Sequence, residues 1–122
     1  MRKDNQRHNL GVQGEQFACA MLRDKGFSIL ERNFRIFEGE IDIIAQKDEV
    51  VAFVEVKARR TDYFALTQVI TRSKQLKLAR AAKAFISKNK LYDKACRFDV
   101  ITLIIPHDAP VTAQHIENAF YG

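Results

Sequence analysis

An α/β domain is what this sequence predicts, on three observations. Apolar residues recur at helical spacing in two stretches, about residues 9–25 and 67–88, and between them residues 27–57 alternate with period two. After the second helical stretch comes a strongly apolar run, about residues 95–105, bounded by Pro106 and Pro110. At 122 residues the chain is long enough for one domain with one core, and it shows no internal repeat, low-complexity segment or linker.

The first helix is expected from Asn9 to Lys25, with Asn9 as N-cap, Leu10, Phe17, Ala18 and Met21 on its apolar stripe, and Gly26 as its stop. Residues 1–8 read as a basic N-terminal tail ahead of it. Gly11 and Gly14 weaken a helix, which fits either close approach of another backbone or a frayed first turn. Glu15 lies at the edge of the apolar stripe. It is placed either to lean over a sheet or to face water near the positive end of the helix dipole.

Residues 27–36 read as a strand, and Glu40–Lys57 as a hairpin. Lys47, Asp48 and Glu49 supply the polar turn; with Asp48 and Glu49 at the tip, Lys47 pairs with Val50, Asp42 falls opposite Glu55, and Glu40 falls opposite Lys57. Alternation then projects Asp42, Glu55 and Lys57 from one face, with Glu55 and Lys57 roughly 6.5 Å apart along their strand. Like charges directly opposite destabilise a strand pair, and a divalent cation held between them converts the repulsion into coordination. A solvated hairpin face is the common setting for such carboxylates. Against it stand Val51, Phe53 and Ile44, apolar neighbours on the same faces, because a strand covered on both sides rarely carries unpartnered charge.

The second helix, from about Thr67 to Lys88, places Leu78, Ala79, Ala82, Phe85 and Ile86 on one face and Arg72, Lys77, Arg80, Lys83 and Lys88 around the other. Gln75 projects from the apolar face with Lys74 at its border. Both either find polar partners or meet water in the first turns. Residues 111–120 fit a last strand or a short helix equally well.

Composition narrows the function classes. A net charge of +5 and a pI near 9.4 favour an anionic partner. No apolar run reaches the roughly 20 residues of a membrane span, and the polar start is unlike a signal peptide, so no membrane partner is expected and the cytoplasm is the expected compartment. Cys19 and Cys96, without a CxxC spacing, read as buried reduced thiols, and the histidines lack zinc spacing with either.

Seven stretches in order, Gly14–Gln16, Arg32–Asn33, Gly39–Ala45, Phe53–Arg59, Ser73–Gln75, Arg97–Asp99 and His115–Phe120, resemble the YraN family, related to the PD-(D/E)XK nuclease superfamily. The resemblance implies a restriction-endonuclease-like core of order αβββαβ, a mixed sheet with helices on both faces. It maps the superfamily's metal carboxylates onto Asp42 and Glu55, its lysine onto Lys57, and an additional acid onto Glu15. Lys74 and Gln75 match a further motif of the crossover helix. One departure is visible: a glycine common after the aromatic beyond the lysine strand is replaced, Phe64 being followed by Ala65.

What the resemblance implies is a magnesium- or manganese-dependent nuclease acting on DNA in preference to RNA, on branched or single-stranded forms. Asp42, Glu55 and Glu15 would hold one or two ions and Lys57 would position or activate the water. Arg59, Arg60, Arg72, Lys74 and Gln75 would hold flanking nucleic acid. Resolvases of this fold are dimers, which admits a homodimer here. A nucleic-acid-binding module without cleavage and a protein-interaction adaptor are the alternatives, since fold does not fix function.

Overall fold

In the computed structural model, which describes residues 2–61 and 69–121, with side chains from residue 9 onward, the chain forms helix α1 (Arg2–Asp24), strands β1 (Ser28–Ile36), β2 (Gly39–Lys47) and β3 (Val50–Arg59), helix α2 (Arg72–Asn89), and strands β4 (Ala95–Ile104) and β5 (Thr112–Phe120). The strands make one mixed sheet in the order β1-β2-β3-β4-β5, with only the β3–β4 pair parallel. The expected α/β architecture with helices against the sheet is therefore present, and the undecided segment after Pro110 is a strand.

The helix boundaries differ from expectation. α1 begins at Arg2, so Asn9 lies within it and caps nothing. Within its stripe Ala18, Cys19 and Leu22 are buried, whereas Phe17 is exposed. α2 starts after Thr71, whose hydroxyl accepts from the Lys74 N–H. Thr67, Phe64 and Ala65 lie outside the described residues. Lys90, in a left-handed conformation, ends α2 by donating its N–H to the carbonyls of Ile86 and Ser87.

β3 is the middle strand, and its alternation builds two cores. Val51 and Phe53 join Leu78, Ala81, Ala82 and Phe85 on the α2 side, while Ala52 and Val54 join Ala18, Cys19 and Leu22 on the α1 side. A fully buried ring such as Phe53 contributes about 1.5–3 kcal/mol by leaving water. Two glycines set how closely the layers approach. A Cβ on Gly14 would stand 2.8 Å from the Ala58 Cβ, which selects the close-approach reading for that residue; Gly11 has nothing within 4 Å. A Cβ on Gly39 would stand 2.6 Å from the Lys77 carbonyl oxygen, so the β1–β2 turn packs directly on the α2 backbone.

On the α1 face the sheet buries a charged network. Asp99 is fully buried and accepts from Arg97 Nε at 3.1 Å, from the Asn118 N–H at 3.1 Å, and from His115 Nε2 at 2.7 Å. Lys25 Nζ lies 2.7 Å from His115 Nδ1. An ammonium only donates, so Nδ1 is the acceptor and the imidazole proton sits on Nε2, facing Asp99. Burial alone would raise the Asp99 carboxyl, but the His115, Asn118 and Arg97 donors outweigh it and hold it below its ordinary value. Asn118, with φ +51°, forms the irregularity where β5 departs from β4's register, and Asp99 fixes it.

Candidate active site

The hairpin register matches the spacing argument where the strands pair: Lys47 faces Val50, and the ladder runs to Ile43 opposite Val54. Asp48, at the tip, takes φ +54°, a conformation aspartate tolerates. The next pair in that register would be Asp42 and Glu55, but there the paired strands end. β3 continues alongside β4 as far as Arg59 opposite Ile104, so beyond Val54 it has a partner on one side only. The Val56 N–H is taken instead by the Asp42 side chain, Oδ2 at 2.8 Å. Glu40 does not reach Lys57 as the register argument expected; it stays with β1, opposite Arg35, and its carboxylate meets Arg35 Nε at 3.2 Å.

The fork coincides with a break in alternation. Ile43 packs on the α1 side and Ile41 on the α2 side, although strict alternation would place both on one face. On the neighbouring strand Arg32 pairs with Ile43 and Phe34 with Ile41, and the residue between, Asn33, has φ +55°. The sheet changes sides at this step, and Asp42 sits at it. Its carboxylate can therefore meet groups belonging to both layers.

Those groups are acids. Glu55, 5% exposed, shares the α2-side face of Val51 and Phe53 and lies beside the Asp42 carboxyl. Burial first, and the adjacent Glu55 charge second, push Asp42 up to about 8 against the pull of the Val56 N–H; Glu15 adds a smaller repulsion. Glu15 leans over the sheet from α1, where Asn33 Nδ2 at 3.2 Å and Arg32 Nη2 at 3.4 Å hold its Oε1. Arg32 and Asn33 thus position the third acid, a role not assigned from sequence because it depends on a helix seventeen residues away.

Lys74 is the cation paired with Glu55. It was expected to hold a flanking phosphate, and the fold gives it a carboxylate instead. Gln75 Nε2 reaches the Ile70 carbonyl at 3.4 Å, so neither residue meets only water. Lys57, Arg59 and Arg60 follow Glu55 along the unpaired edge of β3, where with Leu10 and Gly11 of α1 they line a cleft of about 560 Å³. Arg60 Nη1 also donates to the Ile105 carbonyl at 3.3 Å. Arg72 is exposed at the start of α2.

The donors at the fork are all oxygens, the set that magnesium and manganese prefer. Asp42 and Glu55 fit one ion, which would displace the proton that the raised Asp42 carboxyl holds. Among the described residues no three His, Cys, Asp or Glu side chains already form a metal-holding group, consistent with Glu15 being engaged by Arg32 and Asn33. Cys19 is buried and Cys96 exposed, contrary to the expectation for the latter; both are free. No helix among the described residues is long and apolar enough to cross a membrane.

Comparison with known proteins identifies the chain's family. The model of the uncharacterised protein family UPF0102 matches residues 14–103, a span that contains Glu15, Asp42, Glu55, Lys57 and Lys74. A UPF0102 protein of Trichlorobacter lovleyi is 44% identical over 113 residues, covering 91% of this chain and 89% of the relative. One from Geotalea daltonii is 43% identical over 117 residues, covering 95% and 92%, and one from Clostridium perfringens is 44% identical over 104 residues, covering 84% of each. The chain belongs to the UPF0102, or YraN, family.

Proposed function

We propose that this protein is a metal-dependent nuclease that hydrolyses phosphodiester bonds in DNA. The observation that carries the reading is the Asp42–Glu55 pair: two carboxyl groups brought together in a poorly solvated fork, one pushed up to about 8. A sheet gains no stability from that pairing, whereas perturbed acids in an opening between strands are a recurrent mark of catalytic sites.

Asp42 and Glu55 would be the ligands. What magnesium or manganese supplies when bound between such carboxylates is compensation for the charge that develops on phosphoryl oxygens. Glu15 acts from outside that pair, setting local charge while Arg32 and Asn33 hold it in place. Lys57, in the cleft with Arg59 and Arg60, orients the attacking water and the phosphate. The water oxygen bonds to phosphorus, the bond to the leaving sugar oxygen breaks, and the water's proton ends on that oxygen. Arg59, Arg60 and Arg72 position the backbone without reading bases.

A binding module that does not cut is the second reading, and the Lys74–Glu55 ion pair is the observation in its favour, since it already neutralises one carboxylate. The experiment that separates them is cleavage of labelled duplex, single-stranded, flapped and four-way-junction DNA, and of RNA, with magnesium or manganese, comparing wild type with Asp42→Asn. Metal-dependent cutting that disappears in the variant establishes the nuclease. Binding that weakens with salt, without cutting, selects the module. An adaptor would do neither.

A further inference from the structure

A second opening lies on the α2 side of the sheet, away from the paired acids. α2 packs mainly against β2 and β1, and its Leu76, Arg80 and Lys83 side faces residues of β4 and β5 across an opening. The result is a groove of about 460 Å³. Its floor is the top of the core, closed by buried Phe53 and Phe120 and half-buried Phe98: Phe98 and Phe120 stack on each other with ring centroids 4.7 Å apart, and Phe53 lies 5.7 Å from Phe98. Leu76, Arg80 and Lys83 of α2 form one rim, and Tyr121, 86% exposed, lies on the other.

No Asp or Glu lines this groove among the described residues. The open Tyr121 ring beside a cationic, acid-free rim suits a group that is flat, apolar on its face and anionic along its backbone. A base within a duplex has its faces occupied, whereas an unpaired base offers one for stacking. A second copy of the chain would set the same cations against each other. We propose that the groove binds unpaired nucleotides, so that the substrate class is DNA with a single-stranded arm.

Placement connects the groove to the fork. Phe53 precedes Glu55 by two residues on the same face of β3, and Lys74, Arg80 and Lys83 lie along one helix, the latter two about 9 and 14 Å from Lys74 at the helical rise. A strand leaving the carboxylates along α2 would reach the rim. This continuity rests on the nuclease reading; binding in the groove does not.

The test is therefore made without cleavage. Fluorescence anisotropy with the full chain in chelator compares oligothymidine of about 15 nucleotides, an abasic strand of equal length, and a duplex, for wild type, Arg80→Glu with Lys83→Glu, and Leu76→Glu. These positions are exposed, so the fold should survive, which circular dichroism verifies. The expected result is a roughly tenfold or greater loss for oligothymidine in the variants, little change for duplex, and weaker wild-type binding of the abasic strand. Equal loss for all three probes would reduce the rim to general charge attraction and overturn the proposal, as would unchanged binding. A poly-glutamate peptide that competes as well as oligothymidine would make the groove an acidic-peptide site instead. If wild type binds oligothymidine in this way but cuts nothing with metal, the nuclease reading alone falls.

Discussion

Lys74, in the first turn of α2, places its ammonium on the buried carboxylate of Glu55. The contact joins the helix to the strand fork and supplies the positive charge nearest the acid pair. Removing it as Lys74→Met leaves Glu55 without a counter-ion at 5% exposure. We expect a loss of about 1–3 kcal/mol in chelator. Manganese should recover more of the melting temperature in this variant than in wild type, as thermal melts with and without metal would show.

The acid pair makes stability depend on pH in a definite sense. Asp42 is raised from 3.8 to about 8, so the folded chain holds a proton that the unfolded chain releases. Its contribution is present below about pH 4 and lost as pH rises toward 8, because ionising Asp42 beside Glu55 is unfavourable only in the fold. Asp42→Asn should flatten this part of the metal-free melting profile and abolish the gain from metal. Cleavage should fall by more than about 100-fold. Calorimetry in two buffers of different ionisation enthalpy should show protons released as manganese binds wild type near pH 7.

Burial raises Asp99 too, but the donors around it outweigh this, so it titrates in the opposite sense. Held below its ordinary value, it contributes stability above about pH 4 that is lost on further acidification through its folded value. Asp99→Asn should therefore move the midpoint of acid unfolding to higher pH. Asp99→Ala, which strands Arg97 in the network, should cost about 3–5 kcal/mol in urea titration.

Gly39 and Gly11 form a controlled pair. An added Cβ at Gly39 meets the Lys77 carbonyl, so Gly39→Ala should cost about 1–3 kcal/mol. Gly11 sits in α1 with open space around it, and Gly11→Ala should be neutral or stabilising by up to about 1 kcal/mol. Denaturant midpoints of the two variants measure the difference directly.

Local pattern and global contact separate cleanly in this chain. The β2–β3 register followed from alternation and a polar turn, because both signals lie within about twenty residues. The meeting of Asp42 with Glu55 followed too, but strict alternation also predicted Glu40 opposite Lys57, and it missed the fork because Asn33 turns the sheet from the neighbouring strand. The start of α1 was placed late, since the polar stretch before Asn9 carries no apolar period to reveal a helix. Lys74 with Glu55, and Asp99 with His115, are contacts across nineteen and sixteen residues; each side chain was visible, and its partner was a matter of topology.

Under the proposed nuclease reading, the hydrogen bond from Val56 to Asp42 would also bear on how a phosphate is presented. One oxygen of that carboxylate, Oδ2, is committed to holding two strands apart at the fork. With Oδ2 engaged by backbone, Oδ1 is the oxygen of Asp42 that would be freer to meet a cation. The orientation of that carboxylate is then inherited from the backbone of β3, and a substitution that loosens Val56 would disturb it while leaving every acidic side chain in place.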